Sequence, residues 1–141
     1  RSEGFSGLLE RGDVTTVGNY MRVSHNGDRR WTFSPDGKQR RFTVRTDSAS
    51  LRWLALAETD LIQVPGRYGC STQAIDRIVD LASRANGVIG AQITGAGLGG
   101  CAVVLVRSER RDGLLHMLRL EVGENRAFVS RPVAGAGLLS L

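Results

Sequence analysis

Apolar residues recur at the spacing of an α-helix in several separate parts of the chain. The first pattern is short and ends with Phe5, Leu8 and Leu9. The second follows Asp13, whose side chain can cap a helix, and its apolar stripe consists of Val14, Val17 and Met21. This helix is expected to end near Asn26-Gly27, because both residues tolerate left-handed backbone.

The clearest helical pattern lies after residue 72. Ser71 or Thr72 can supply its N-cap, and its apolar positions recur at i, i+3, i+4 and i+7: Ile75, Ile78, Val79 and Ala82. The same periodicity turns three charged residues away from this apolar face: Asp76, Arg77 and Asp80. Asn86-Gly87 is the expected C-terminal stop. A further helix is predicted from Asp47 or Ser48 to Glu58, before the turn at Pro65-Gly66.

A basic segment without clear periodicity separates the second helix from the third. Residues 28–46 contain six cations: Arg29, Arg30, Lys38, Arg40, Arg41 and Arg45. Ser34-Pro35-Asp36-Gly37 is a strong turn signal. The segment is predicted to be a long loop, with a hairpin around that turn as an alternative.

After Gly87 the periodicity changes to that of strands. Val88 to Thr94 and Ala102 to Val106 are predicted strands, joined by a glycine-rich loop from Gly95 to Gly100. A helix from Arg110 to Leu120 and a last strand from Ala127 to Val133 follow. This order predicts an α+β fold, a two-layer sandwich in which an antiparallel sheet is covered by helices on one face.

Composition restricts the class of protein. The 141 residues suffice for one domain, and 41% hydrophobic with 23% charged residues excludes a disordered chain or a membrane span. Two cysteines, Cys70 and Cys101, are too few for a disulfide scaffold, which favours a reducing, cytoplasmic location. The net charge of +5 indicates either an anionic partner or a generally basic surface.

The glycine-rich loop partly resembles two well-known phosphate-binding motifs. Gly95, Gly97 and Gly100 match G-x-G-x-x-G, but a dinucleotide site needs a helix directly after the loop, where residues 101–106 have the composition of a strand. A phosphate loop of the Walker type needs a Gly-Lys-Ser/Thr that is absent. The remaining interpretation is a bend between adjacent strands, whose backbone N–H groups can approach an anion or a phosphate-binding loop.

The whole run from Gly87 to Cys101 resembles the third conserved motif of the GHMP kinases, and the galactokinase branch is the most similar. Upstream residues resemble the helix and loop of that branch: Gly12-Asp13, Gly18, Met21, Ser24-His25, Tyr68, Ser71, Ile75 and Asp76. Downstream, residues 128–130 and 135–139 resemble its final strand and tail. The chain departs from the pattern at Cys70, Thr72-Gln73-Ala74 and Leu98, and residues 29–47 do not align.

The resemblance implies an ATP-dependent sugar kinase of which residues 1–141 are the ferredoxin-like C-terminal domain. A separate N-terminal domain would hold most of the ATP and Mg²⁺ and the catalytic groups, so no catalytic residue is expected here. The chain begins at Arg1 and is expected to be part of a longer protein. The resemblance places seven residues at the phosphate loop of the cleft: Thr94, Gly95, Ala96, Gly97, Leu98, Gly99 and Gly100. Tyr68 and Ser71 are possible cleft residues.

Other interpretations remain open. The acceptor can be another sugar, mevalonate or another small molecule, and the fold can be a non-catalytic binding or regulatory module. An RNA-binding module is disfavoured, because the two strands lack the aromatic residues on which bases stack. Neither nucleic acid nor a membrane is an expected partner. Four side chains are predicted to be structural: His25, Cys101, Trp31 and Trp53.

Overall fold

The computed structural model describes residues 2–95 and 100–131. Within them there are five α-helices: α1 (Ser2–Glu10), α2 (Val14–Asp28), α3 (Ser48–Leu56), α4 (Gln73–Ser83) and α5 (Arg111–Val122). The strands of the same part of the chain are β1 (Trp31–Phe33), β2 (Gln39–Arg41), β3 (Val88–Thr94) and β4 (Cys101–Val106). Short 3₁₀ turns lie at Leu61–Gln63, Ser108–Arg110 and Glu124–Arg126. The α+β class of antiparallel strands with helices is confirmed.

The strands form two antiparallel hairpins. In the first, Trp31 pairs with Arg41 and Phe33 with Gln39, so the basic segment does form a hairpin around the predicted turn. In the second, the pairing runs from Val88↔Val106 to Thr94↔Cys101, with an irregularity between Val88 and Gly90. The second hairpin therefore places the glycine-rich loop at the tip between β3 and β4.

Side-chain caps begin three of the helices where the sequence predicts them. The carboxylates of Asp13 and Asp47 accept hydrogen bonds from backbone N–H groups one turn later, at 3.1 Å and 2.9 Å. Thr72 rather than Ser71 caps α4, since its Oγ1 accepts from the N–H of Ile75 at 3.3 Å. Each cap satisfies a donor that the first helical turn would leave unpaired.

Two apolar clusters form the core. One joins α4, α5 and the β3–β4 hairpin, and its buried residues are Ile75, Val79, Ala82, Ala91, Ile93 and Leu114. The other joins α1 and α2 through Leu8, Val17 and Met21, with Leu105 of β4 packed against them. The β3–β4 hairpin thus contributes to both clusters and connects the two groups of helices. No helix within the described ranges is long and apolar enough to span a membrane.

Helix α2 crosses β3 at very short range. A Cβ atom on Gly18 would lie 2.9 Å from the carbonyl carbon of Ile89 and closer still to its oxygen. On the strand side, a Cβ on Gly90 would lie 2.9 Å from the Cα of Gly18. Since real Cβ atoms essentially never come this close to backbone atoms, the crossing requires glycine on both elements.

The predictions for the last strand and for two side chains, Cys101 and Trp53, are wrong. The strand expected at 127–133 is absent from its described part, residues 127–131, where Phe128 is 77% exposed and no ladder forms. Cys101 is exposed, because the alternation of β4 turns Ala102 and Val104 toward the core instead. Trp53 is 66% exposed on α3 rather than packed.

We predict that Gly18→Ala destabilises the protein by about 1–3 kcal/mol or more, because the added methyl group must push α2 away from β3. The control is Gly113→Ala in α5, where no atom lies within 4 Å of the added Cβ and alanine favours the helix. Denaturant unfolding followed by circular dichroism measures both changes. Equal stability of the two variants would contradict the close crossing.

Candidate functional site

Side chains of helix α4 form hydrogen bonds with the edge of β1 that does not pair with β2. The residues on either side of β1 pair with those that flank β2. The carbonyl of Arg30 accepts from the N–H of Phe42, and the N–H of Ser34 donates to the carbonyl of Lys38. The N–H groups of Trp31 and Phe33 point the other way and donate to Oδ2 of Asp76 and Oδ2 of Asp80, at 2.8 Å and 2.7 Å. The carboxylates of α4 therefore take the place of a third strand.

The polar face of α4 is consequently buried, contrary to the prediction. Asp76 is 0% and Asp80 8% exposed, because the β1–β2 hairpin covers them. Oδ1 of Asp80 also pairs with the guanidinium of Arg29 at 2.6 Å, and Arg84, the C-cap residue of α4, donates to the carbonyl of Phe33. Buried carboxylates need such partners, and here backbone N–H groups and an arginine supply them.

His25 connects α2, β3 and α4 at a single buried point. Its Nδ1 accepts a hydrogen bond from the N–H of Ile93 at 3.3 Å, so the neutral ring carries its proton on Nε2. That nitrogen lies 3.4 Å from Oδ1 of Asp76, a long polar contact between two atoms that have no other partner among the described residues. His25 has 1% of its surface exposed, which agrees with the structural role predicted from the sequence.

The pKa of Asp76 reflects two opposing effects. Burial alone would raise it, because an apolar environment disfavours a charged carboxylate. The polar side chains of His25 and Ser71, together with the hydrogen bonds from the N–H groups of Arg30 and Trp31, outweigh burial and hold the pKa below its ordinary value of 3.8. Asp76 is therefore a charged structural group at neutral pH.

The glycine-rich loop leaves the β3–β4 hairpin at this same end of the domain. Thr94 pairs with Cys101, and Gly95 follows with φ of +78°, a left-handed conformation that favours glycine. Gly100 leads into β4 without any helix, which confirms that the loop is not a dinucleotide fingerprint. The other four predicted loop residues lie outside the described part of the chain: Ala96, Gly97, Leu98 and Gly99.

Residues 68–71 cross the C-terminal end of α2. The N–H groups of Tyr68 and Gly69 donate to the carbonyl of Gly27, at 2.9 Å and 3.1 Å, and that of Ser71 donates to Asp28 at 2.8 Å. The Ser71 side chain is buried beside Asp76, whereas Tyr68 is 76% exposed. Of the two possible cleft residues, Tyr68 is therefore the accessible one.

Cys70, between them, is no activated thiol. Burial, followed by the nearby Asp28 carboxylate, raises its pKa, so the unreactive thiol form dominates at neutral pH. No group of three or more histidine, cysteine or acidic residues that could hold a metal ion occurs in residues 2–95 and 100–131. The described part of the site therefore provides polar and backbone contacts rather than a nucleophile or a metal centre.

Next to Tyr68 is a hollow of about 220 Å³ that the sequence analysis misses. We call it the arginine hollow, and its lining consists of Gly27, Arg29, Arg30, Arg41, Phe42, Thr43, Val44, Arg67, Tyr68 and Gly69. The only signal in the sequence is the density of arginine in residues 28–46. That density does not reveal which arginines meet Arg67, because the two segments are far apart along the chain.

Comparison with known proteins identifies the family of this domain. The family model described as "GHMP kinases C terminal" matches residues 47–124, which is more than half of the chain and includes α4, both strands of the second hairpin and α5. The chain belongs to the GHMP kinase C-terminal family. The α+β fold and the glycine-rich bend between two antiparallel strands agree with that membership.

Two kinases are similar in sequence to part of this chain. A mevalonate kinase of Methanocaldococcus jannaschii is 47% identical over 55 residues, which cover 39% of this chain and 17% of the relative. A galactokinase of Clostridium beijerinckii is 43% identical over 47 residues, which cover 33% of this chain and 12% of the relative. The matches thus span a small part of each relative's length. No solved structure matches significantly.

We predict that Asp76→Asn destabilises the protein by about 1–3 kcal/mol. The amide has one oxygen, which cannot both accept from the two backbone N–H groups and contact Nε2 of His25. Because the folded-state pKa of Asp76 is lowered, its stabilising effect is present above pH 3.8 and is lost as the pH falls through the folded-state pKa. The variant should therefore lose less stability than the wild type on acidification below that point.

Unfolding curves measured from pH 7 down to pH 2 test this expectation. Asp112→Asn is the control, because that carboxylate lies on the surface of α5 and its partner among the described residues is the neighbouring Arg111 rather than a buried backbone N–H group. If Asp76→Asn showed the same acid dependence as the wild type, the carboxylate would not be the group that anchors β1.

Proposed function

We propose that this domain is the C-terminal part of an ATP-dependent kinase that transfers the γ-phosphoryl group of ATP to a hydroxyl group of a small sugar. Membership of the GHMP kinase C-terminal family and the similarity to a galactokinase support this assignment. The remaining part of the enzyme, which would bind most of the nucleotide, is proposed to be an N-terminal domain of the same protein.

The observation on which the proposal depends is the hairpin geometry around the glycine-rich loop. Pairing of Thr94 with Cys101 closes the ladder directly before the loop, so six residues must reverse the chain at the tip. Gly95 follows the ladder in left-handed backbone, and no atom of the described residues lies within 4 Å of the position of a Cβ there. Backbone N–H groups in a glycine-rich loop can approach an anion closely.

In this proposal the residues from Thr94 to Gly100 support the phosphate-binding loop of the N-terminal domain from across the cleft. Phosphoryl transfer depends mainly on positioning and on stabilising the charge of the transferred group, so a supporting loop needs no acid or base. Tyr68 would face the same cleft. The described residues do not fit a Mg²⁺ site, and no step through the metal is assigned to them.

Mevalonate or a related alcohol is the second candidate acceptor. The similarity to the mevalonate kinase of M. jannaschii favours it, because that match has the higher identity, 47% against 43%. A panel of hexoses, hexose derivatives and mevalonate, tested with ATP and the full-length protein, separates the two. Formation of ADP with a sugar but not with mevalonate supports the first candidate.

We predict that Gly99→Val in the full-length enzyme lowers kcat by about a hundredfold, because a side chain in the loop misplaces the phosphates, while stability changes little. Gly113→Val is the matched control on the exposed surface of α5, where the added side chain meets no atom within 4 Å of its Cβ. Turnover is measured by ADP release and stability by the unfolding midpoint. Wild-type turnover of Gly99→Val would refute the role of the loop.

A further inference from the structure

The lining of the arginine hollow is rich in positive charge, of which the Asp80 carboxylate beneath it pairs with Arg29 alone among the four arginines. Four of its ten lining residues are arginines, namely Arg29, Arg30, Arg41 and Arg67, and none of the ten is acidic. Like charges brought together on a surface repel one another unless an anion lies between them. The function proposed above does not by itself account for this arrangement.

One of the four arginines has an unused donor in the interior. The Arg29 side chain is 10% exposed, and its terminal nitrogen pairs with Asp80 while the guanidinium lies 5.8 Å from the centre of the Phe42 ring. Its Nε is buried without a hydrogen-bond partner among the described residues. A buried donor that lacks an acceptor is costly, and a ligand oxygen would satisfy it.

Neutral groups position two of the other guanidinium groups. The Arg41 guanidinium lies 5.4 Å from the centre of the Trp31 ring, and Nη1 of Arg67 donates to Oγ1 of Thr46 at 2.7 Å. Within residues 2–95 and 100–131, no carboxylate pairs with Arg30, Arg41 or Arg67. Their charge is therefore available to a ligand, and arginine forms paired hydrogen bonds with carboxylates and phosphates.

The hollow lies at the same end of the domain as the glycine-rich loop. Gly27, which lines the hollow, follows His25 by two residues in α2. His25 accepts a hydrogen bond from the N–H of Ile93, and Ile93 precedes Thr94, the last residue of β3. A volume of about 220 Å³ is smaller than that of an ordinary small-molecule pocket, which begins at roughly 300 Å³. It therefore suits one charged end of a ligand rather than a whole nucleotide.

We propose that the arginine hollow binds an oxyanion group, a carboxylate or a phosphate, that is part of the acceptor substrate. The inference rests on the proposed kinase function and restricts the acceptor to one that carries an anionic group, such as a hexuronic acid, a hexose phosphate or the carboxylate of mevalonate. The hydroxyl group that is phosphorylated would extend from the hollow past Tyr68 toward the glycine-rich loop.

Binding to the full-length protein tests the inference without relying on turnover. Calorimetric titrations compare galactose with galacturonate and galactose 6-phosphate, which differ from it by the anionic group. The acidic ligands are expected to bind about ten- to a hundredfold more tightly than galactose, because hydrogen bonds to charged groups contribute more than those between neutral groups. Because the arginines are partly exposed, raising the salt concentration should reduce the difference.

Arg30→Gln removes one charge of the hollow and should abolish most of the preference for acidic ligands. Its side chain is exposed, and only its backbone N–H contacts Asp76, so the fold is retained. Arg67→Gln is a second variant with the same expected effect. Arg126→Gln is the control, because this exposed arginine does not line the hollow. Circular dichroism verifies that all three variants are folded.

Equal binding of galactose and galacturonate would overturn the inference, and so would a preference for acidic ligands that both hollow variants retain. Inorganic phosphate serves as a third probe for the source of the anion. If ATP displaces it from the hollow but galacturonate does not, the hollow belongs to the nucleotide and the inference is wrong.

ADP release with the same ligands separates this inference from the function on which it rests. Phosphorylation of galactose in preference to the acidic sugars contradicts the acidic acceptor but leaves the kinase assignment intact. If no acceptor of the panel is phosphorylated, the sugar kinase assignment fails, and the titrations still decide whether the hollow binds oxyanions.

Discussion

The row of hydrogen bonds between α4 and the free edge of β1 determines how this end of the domain is built. A hairpin with strands of three residues is not stable alone in water, and its outer N–H groups would remain unpaired. Asp76 and Asp80 accept from these groups, and Arg84 donates to the carbonyl of Phe33. One face of a helix thereby replaces a strand and fixes the hairpin against the core.

The same row brings the candidate functional elements together. His25 lies between Asp76 and Ile93, so the end of α2, the first turns of α4 and the end of β3 meet at one point. The glycine-rich loop leaves β3 directly beyond it, and Tyr68 is bonded to Gly27 on the same side. The proposed phosphate support and the proposed anion site are thus positioned by one buried polar network rather than by separate loops.

Local signals in the sequence predict most of the secondary structure. Asp13 and Thr72 cap helices because a short polar side chain precedes each apolar stripe, and β3 and β4 form at the two runs of β-branched residues that the sequence predicts as strands. The strand expected after residue 126 fails for a physical reason. Extended propensity alone does not create a strand, because a strand also needs a partner, and the described residues 127–131 pair with neither edge of the β3–β4 hairpin.

By itself, the sequence determined the order of helices and strands, the α+β class and the resemblance to GHMP kinases, because these depend on residues that are neighbours along the chain. Only the tertiary structure decided which polar residues are buried. Helical periodicity turns Asp76 and Asp80 away from the apolar face, but it cannot foresee that a hairpin more than forty residues upstream covers them. The arginine hollow likewise exists only because folding places Arg67 beside Arg30 and Arg41.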